Sequence, residues 1–189
     1  KVGVGYPRRA IVLRRLILIL PFWVGCVVPV VDSEEMDSGQ ELTGDCMIDP
    51  TIVVVGEGEE EFLALEDGAS VMIVHGPQGG WHITGAVRAT GFGQIARLNY
   101  TIEDLVSGVF VTDYTYNVAM VMEDDCVGTF YNLTGFVSVA ELGGGGAVIP
   151  PDLLEGHELQ MTIHVENFSD RIGGASVVVV GERDPADFD

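Results

Sequence analysis

A strict alternation of apolar and polar residues constrains the fold of this chain more than any other feature of its sequence. In ELQMTIHVE (158–166), every second residue is apolar, and the residues between are Glu, Gln, Thr, His and Glu. Successive side chains of a β-strand point to opposite faces of the sheet, so a period of two predicts a strand with one buried face. Leu159, Met161, Ile163 and Val165 are therefore predicted to lie in the core.

Three further segments alternate in the same way: WHITGAVRAT (81–90), ARLNYTIED (96–104) and YNVAMVM (116–122). SVVVV (176–180) does not alternate and is predicted to be a central strand covered on both faces. Turn-forming residues separate these runs, and PPDLLEG (150–156) offers a single helical turn. Eight or nine strands predict an all-β fold, an antiparallel immunoglobulin-like β-sandwich, with a small β-barrel as the alternative.

The N-terminal residues are typical of an export signal. Arg14 and Arg15 precede the apolar run LILILPFWVG (16–25), and WVGC (23–26) resembles the lipobox of bacterial lipoprotein signal peptides. In that motif the cysteine is lipid-modified and becomes the first mature residue, so Cys26 is the predicted lipidation site, although Trp23 stands where leucine is usual. The alternative is an uncleaved membrane anchor, but the apolar run 16–31 has only sixteen residues, against the roughly 20 that a spanning helix needs.

These features divide the chain into four predicted segments. Residues 1–25 form a signal peptide, 26–50 the lipidated cysteine and a flexible acidic tether, 51–182 the β-sandwich domain, and 183–189 a C-terminal tail. Beyond residue 26, four arginines stand against 29 acidic residues, which gives a formal net charge of −25. Nucleic acid is therefore not an expected partner, because phosphate binding needs clustered basic side chains.

Three cysteines are an odd number for an exported protein. With Cys26 assigned to the lipid, Cys46 and Cys126 remain and are predicted to form a disulfide. In the chain-entropy model, closing a loop of this length stabilises the fold by roughly 4 kcal/mol. The two cysteines alone do not make a metal site.

The segment HGPQGGWH (75–82) contains two of the four histidines. A five-residue loop, 76–80, places His75 opposite Trp81 and His82 opposite Val74, so that the two histidines point to opposite faces. A six-residue loop would place the histidines opposite each other, within chelating distance, but it breaks the alternation that follows. The sequence therefore favours the five-residue loop, with Pro77 and Gly79 at the second and fourth positions of a turn.

Metal binding and catalysis are the alternatives to a plain turn. His75, His82 and His164 are the candidate ligands for a transition metal, including a pair formed by His82 and His164 across neighbouring strands. The acidic clusters at 57–61 and 123–125 offer oxygen ligands for calcium, although they follow no known calcium-loop pattern. No nucleophile or metalloprotease motif is present, so no catalytic residue and no cofactor are predicted, and an envelope hydrolase is the remaining alternative.

Three segments together resemble uncharacterised predicted lipoproteins of Gram-negative bacteria: VHGPQGGWHITGAVRATGF (74–92), DDCVGTFYNLTGFVSV (124–139) and PPDLLEGHELQMTIHV (150–165). In those proteins a GPQGG-aromatic-His segment precedes an immunoglobulin-like β domain. The resemblance covers about residues 51–182 and implies no established activity. It makes Gln78, Trp81 and His82 the candidate binding residues.

These observations predict a lipid-anchored β-sandwich that acts as a non-catalytic binding or structural module of the cell envelope. The expected location is the periplasm or the surface of a Gram-negative bacterium, with Cys26 holding the chain at the membrane. The expected partner is an envelope protein or a glycan. A small metal- or calcium-binding envelope protein is the second reading of the sequence.

Overall fold

The computed structural model describes residues 49–77, 79–124, 126–143 and 148–188. The predicted signal peptide and all of the predicted tether except its last two residues lie outside this part of the chain. Among the described residues, no helix has the length and apolar character needed to span a membrane.

The described chain consists almost entirely of β-strands, which confirms the predicted all-β fold. The ten strands are β1 (Ile52–Glu57), β2 (Leu63–Ala64), β3 (Ala69–His75), β4 (Trp81–Thr90), β5 (Ile95–Asp104), β6 (Val109–Ala119), β7 (Val121–Asp124), β8 (Val127–Phe136), β9 (Glu158–Asn167) and β10 (Ile172–Arg183). The one short α-helix, α1 (Pro150–Leu154), is the helical turn predicted from PPDLLEG, and 3₁₀ turns occupy Ala140–Leu142 and Pro185–Phe188. Strand β10 extends to Arg183, the first residue of the predicted C-terminal tail.

The strands form two layers that are joined through β3 into one curled sheet. One layer has the order β2-β1-β4-β8-β7, and the other has the order β3-β10-β9-β5-β6. Residues Ala69–Ile73 of β3 pair with β10, and Val74 and His75 then pair with β4. The β3–β10 pair is parallel, whereas the other described strand pairs are antiparallel as predicted.

The alternating segments occupy the strands and faces that their periodicity predicted. In β9, Leu159, Met161, Ile163 and Val165 are all fully buried. The buried face of β5 continues the same pattern with Ala96, Leu98, Tyr100 and Ile102. Side chains of both layers meet in a single core that also includes Ile83, Val87 and Leu133.

Strand β10 differs from its prediction. It is a central strand, as expected, because it pairs with β3 on one side and β9 on the other. However, only Val177 and Val179 are buried, whereas Val178 and Val180 are partly exposed. The unbroken valine run therefore has one core face like the other strands, since no second layer covers its outer side.

Close packing between the layers depends on glycines that face one aromatic ring. Tyr100 of β5 is fully buried, and its ring lies against Gly135 of β8 and Gly85 of β4. A Cβ atom on Gly135 would lie 2.6 Å from a carbon of this ring. A glycine in the interior of a strand allows this close approach, which explains a residue type that sheets otherwise disfavour.

A seam separates β6 from the end of β8, because β6 pairs only with β5 among the described strands. Side chains bridge this seam: Thr112 Oγ1 donates to the carbonyl of Phe136 at 3.0 Å, and the Tyr116 hydroxyl donates to the carbonyl of Thr134. The backbone closes the seam at one end, where the Ser138 N–H donates to the Val111 carbonyl at 2.8 Å. The molecule is thus intermediate between the predicted sandwich and the alternative barrel.

Candidate functional site

The hairpin that joins β3 to β4 has the predicted five-residue loop. His75 pairs with Trp81, and Val74 pairs with His82. The Gly79 N–H donates to the Gly76 carbonyl at 2.9 Å, which closes a four-residue turn, and the Gly76 N–H donates to the Gly80 carbonyl at 2.7 Å. The register therefore confirms that the two histidines point to opposite faces.

The glycines of the loop have separate structural roles. Gly79 has a φ of 88°, a left-handed conformation that other residues adopt only with strain. Gly76 lies beside the His82 ring: a Cβ there would be in ordinary contact with two ring atoms, at 3.5 Å, and would lie 3.2 Å from the Gly80 carbonyl oxygen. A Cβ on Gly80 would lie 3.6 Å from the Phe136 ring. The GPQGG segment thus combines a tight turn with a backbone surface on which two rings rest.

Trp81 and His75 form a stacked pair at one side of the hairpin. Their ring centroids lie 4.8 Å apart with an interplanar angle of 32°. Trp81 is partly buried and packs against the core, whereas His75 is exposed. Trp81, a predicted binding residue, therefore contributes mainly to packing, and His75 covers part of its ring.

Two exposed rings, Tyr114 and Phe136, and the partly buried His82 form a cluster, which we term the aromatic patch. His82 lies directly opposite Phe136 across the β4–β8 pair, with their ring centroids 6.4 Å apart. Tyr114 of β6 reaches Phe136 across the seam, with centroids 5.8 Å apart and an edge-to-face angle of 65°. Phe136 is 48% exposed and Tyr114 is 43% exposed.

The backbone beneath the aromatic patch is held from two sides. The carbonyl of Phe136 accepts a hydrogen bond from Thr112, and the next N–H, that of Val137, donates to the Trp81 carbonyl at 2.9 Å. Rings presented from a fixed backbone lose little conformational freedom when a partner binds. Gln78, the third candidate binding residue, lies outside the described residues.

The candidate metal ligands lie apart from each other. His75 and His82 point to opposite faces of the hairpin, and His164 lies on β9, which pairs with β5 and β10. The predicted combination of His82 and His164 was wrong, because β4 and β9 are not neighbours in the sheet. In the described parts of the chain, no three His, Cys, Asp or Glu side chains are grouped closely enough to hold a metal ion.

Of the acidic cluster at 123–125, Glu123 takes part in the fold. Its carboxylate accepts hydrogen bonds from Thr129 Oγ1 at 2.6 Å and from the Arg88 guanidinium at 2.9 Å. These two donors lower the pKa of Glu123 below its ordinary value. The Glu123 carboxylate is therefore engaged by Thr129 and Arg88 within the fold.

Asp104, a buried carboxylate that was not among the predicted site residues, lies at the turn between β5 and β6. Asp104 is only 1% exposed, and its side chain accepts hydrogen bonds from Ser107 Oγ at 2.6 Å and from the backbone N–H groups of Val106 and Ser107. His157, before β9, lies with Nδ1 3.0 Å from Asp104 Oδ1. Asp104 thus ties the β5–β6 turn to the start of β9.

The environment of Asp104 explains its ionisation. Burial alone raises the pKa of this carboxyl, but the hydrogen bonds from Ser107, Val106 and His157 outweigh it, so the pKa lies below its ordinary value. All these partners stabilise the fold, and none leaves an open position for a substrate. The sequence did contain a signal, because Asp104 continues the inward alternation of Leu98, Tyr100 and Ile102.

Two of the three cysteines, Cys26 and Cys46, lie outside the described residues. Cys126 is partly buried and lies immediately before β8, where its carbonyl accepts a hydrogen bond from the Gly91 N–H at 2.9 Å. The pairing of Cys46 with Cys126 and the lipidation of Cys26 remain predictions.

Comparisons with known proteins show a structural likeness but no family. No family model and no curated protein matches the chain. Among solved structures, the chain is similar to the CooA pilin subunit from enterotoxigenic Escherichia coli, with 10% sequence identity and a TM-score of 0.33 over 70% of this chain and 99% of the pilin chain. A likeness at this level carries no information on function, so the function is inferred from the surface of the protein.

Proposed function

We propose that the protein is a lipid-anchored, non-catalytic module of the bacterial cell envelope that binds another envelope protein through its aromatic patch. The single observation that supports this function is the exposure of Phe136 and Tyr114 in contact with each other and with His82. Aromatic residues are enriched in protein interfaces, where they bury a large area for each immobilised side chain.

The arrangement around the aromatic patch supports a binding role over a packing role. The Tyr116 and Thr112 hydrogen bonds hold the backbone of β8 at Thr134 and Phe136, while the rings of Phe136 and Tyr114 stay exposed. The partner surface is expected to be neutral or basic, because the chain beyond residue 26 carries a formal net charge of −25. The export signal and the lipobox-like WVGC segment support a location at the envelope.

Site-specific photo-crosslinking in cells tests this function. A benzoylphenylalanine residue replaces Phe136, which keeps an aromatic ring in the patch, and a matched variant carries it at Phe110, which is 57% exposed outside the patch. We expect a discrete crosslinked protein from position 136, absent from position 110 and reduced when Tyr114→Ser is added. Equal adducts from both positions, or none from position 136, would overturn the proposal.

A further inference from the structure

A second surface, sharing no residue with the aromatic patch, has the composition of a ligand site. Two adjoining pockets of about 300 and 240 Å³ lie on the outer face of β6, β5 and β9. Arg97 and Glu166 line both pockets. Together the two pockets form one groove, which we term the β5–β9 groove.

The floor of the β5–β9 groove consists of polar side chains in cross-strand register. Arg97 lies opposite Asn117 on β6 and opposite Glu166 on β9, and Asn99 lies between Thr115 and His164. Arg97 and Glu166 are 3.5 Å apart at their charged atoms, and their side chains are 60% and 42% exposed. Polar side chains therefore cross the three strands in two rows, one of Asn117, Arg97 and Glu166 and one of Thr115, Asn99 and His164.

Two exposed apolar side chains flank this polar floor. Phe168 is 86% exposed and lines the first pocket, and Ile172 is 67% exposed and lines the second. The Phe168 ring therefore does not pack in the core, and it is available for contact with a ligand.

The turn that carries Phe168 is rigidly held. The Asn167 side chain accepts hydrogen bonds from the N–H groups of Ser169 and Arg171 at 2.9 and 3.0 Å, and it donates to the Phe92 carbonyl at 3.1 Å. The Arg171 guanidinium donates to the Gly91 carbonyl at 2.9 Å, and Asp170 has a φ of 58°. The Phe168 ring is thus presented from an ordered backbone, which lowers the entropic cost of binding against it.

The position of the β5–β9 groove in the sheet indicates the chemistry of its ligand. Strand β5 is paired with both β6 and β9, and β9 is paired with both β5 and β10, so a peptide strand could add only at the outer edge of β6 and not over Arg97 and Glu166 at the centre of the groove. Recognition must therefore use side chains. Glu166 and Asp170 outnumber the single arginine of the groove, and the whole chain is acidic, so a polyanion is disfavoured.

We infer that the β5–β9 groove binds a neutral oligosaccharide. A pyranose ring has equatorial hydroxyls that suit Asn117, Arg97 and Glu166, and it has an apolar C–H face that packs against Phe168. Asn99 offers its amide oxygen, because its amide nitrogen already donates to Asp113 at 3.0 Å. Two adjoining pockets accommodate two consecutive sugar units. This inference goes beyond the proposed function and involves a different surface of the molecule.

Binding of defined glycans tests the inference directly. The intact protein is applied to an array of neutral oligosaccharides built from glucose, mannose, galactose or N-acetylglucosamine, together with uronic-acid and sulfated chains. The array hits are then titrated into ¹⁵N-labelled protein while the side-chain amide signals of Asn99 and Asn117 are followed. We expect a neutral chain to bind and to shift both signals.

Matched variants test whether the glycan binds in the β5–β9 groove or elsewhere on the protein. Phe168→Ser is expected to weaken binding by about tenfold or more, whereas Phe110→Ser, at another exposed phenylalanine, leaves it unchanged. Gly174→Ala gives a second variant, because a Cβ there would lie 2.5 Å from Nδ1 of His164 and displace that ring. Binding that Phe168→Ser does not weaken, binding of acidic chains only, or no binding on the array would overturn the inference.

Variants of the aromatic patch and of the β5–β9 groove are expected to have separate effects. A Tyr114→Ser variant is expected to keep its glycan affinity while losing its crosslinked partner, and Phe168→Ser is expected to show the reverse. If Tyr114→Ser also abolished glycan binding, the β5–β9 groove would not be the glycan site.

Discussion

At the scale of single residues, the most informative side chain is the carboxylate of Asp104. It is almost fully buried, it accepts three hydrogen bonds from the β5–β6 turn, and it contacts His157. Hydrogen bonds to charged groups contribute more to stability than neutral ones. Asp104 is therefore expected to be a main source of pH dependence in the fold.

Asp104→Asn is predicted to lower the free energy of unfolding at pH 7 by roughly 1–3 kcal/mol. The folded-state pKa of Asp104 is lowered, so its stabilising effect is complete above the unfolded-state pKa of about 4 and is lost as the pH falls through the folded-state value. Urea unfolding between pH 2.5 and 7 measures this, with exposed Asp113→Asn as the control. A difference between Asp104→Asn and wild type that stays constant over this range would contradict the assignment.

The β3–β4 hairpin was largely predictable from its own residues, whereas the rings near it were not. The five-residue loop and its register follow from local turn chemistry and from the alternation of 81–90, and both are confirmed. The aromatic patch was not predictable, because its three rings are distant in sequence. Phe136 meets His82 through the pairing of β4 with β8, and Tyr114 meets Phe136 across the seam.

At the scale of elements, periodicity predicted strands and their buried faces, while non-local pairing went undetected. The alternation in β4, β5 and β9 reports which face each strand buries, because that depends only on neighbouring residues. The parallel pair of β3 and β10 joins residues about a hundred positions apart, and no local pattern encodes it. For the same reason the sequence could not separate a sandwich from a barrel.

The seam between β6 and β8 yields a prediction about local stability. Tyr116→Phe removes the hydroxyl that donates to the Thr134 carbonyl. We expect a loss of about 1 kcal/mol in the free energy of unfolding. Amide hydrogen exchange is expected to become faster at the end of β8 and to stay unchanged in β9. Tyr114→Phe, which removes an exposed hydroxyl from the same strand, is the control. Identical exchange in the two variants would mean that the side-chain bond does not hold the seam.

At the scale of the whole molecule, the fold presents two different surfaces on one acidic β scaffold. The aromatic patch lies at the β3–β4 hairpin, and the β5–β9 groove lies on the outer face of the other layer. Among the described residues, neither surface has three His, Cys, Asp or Glu side chains grouped closely enough to hold a metal ion. Both surfaces present side chains suited to recognition, and we propose that this binding does not require a metal ion.

The most direct measurement of that claim is retention of the purified chain on isolated cell envelopes. The purified chain begins at residue 27, so that both the predicted lipidation site Cys26 and the apolar run 16–25 are removed and any retention reflects the protein surface. Retention is measured by sedimentation with and without EDTA, for the otherwise unchanged protein and for Tyr114→Ser with Phe136→Ser. The account predicts retention that EDTA does not alter and that the aromatic variant reduces by about tenfold. Retention abolished by EDTA, or unchanged in the aromatic variant, would contradict it.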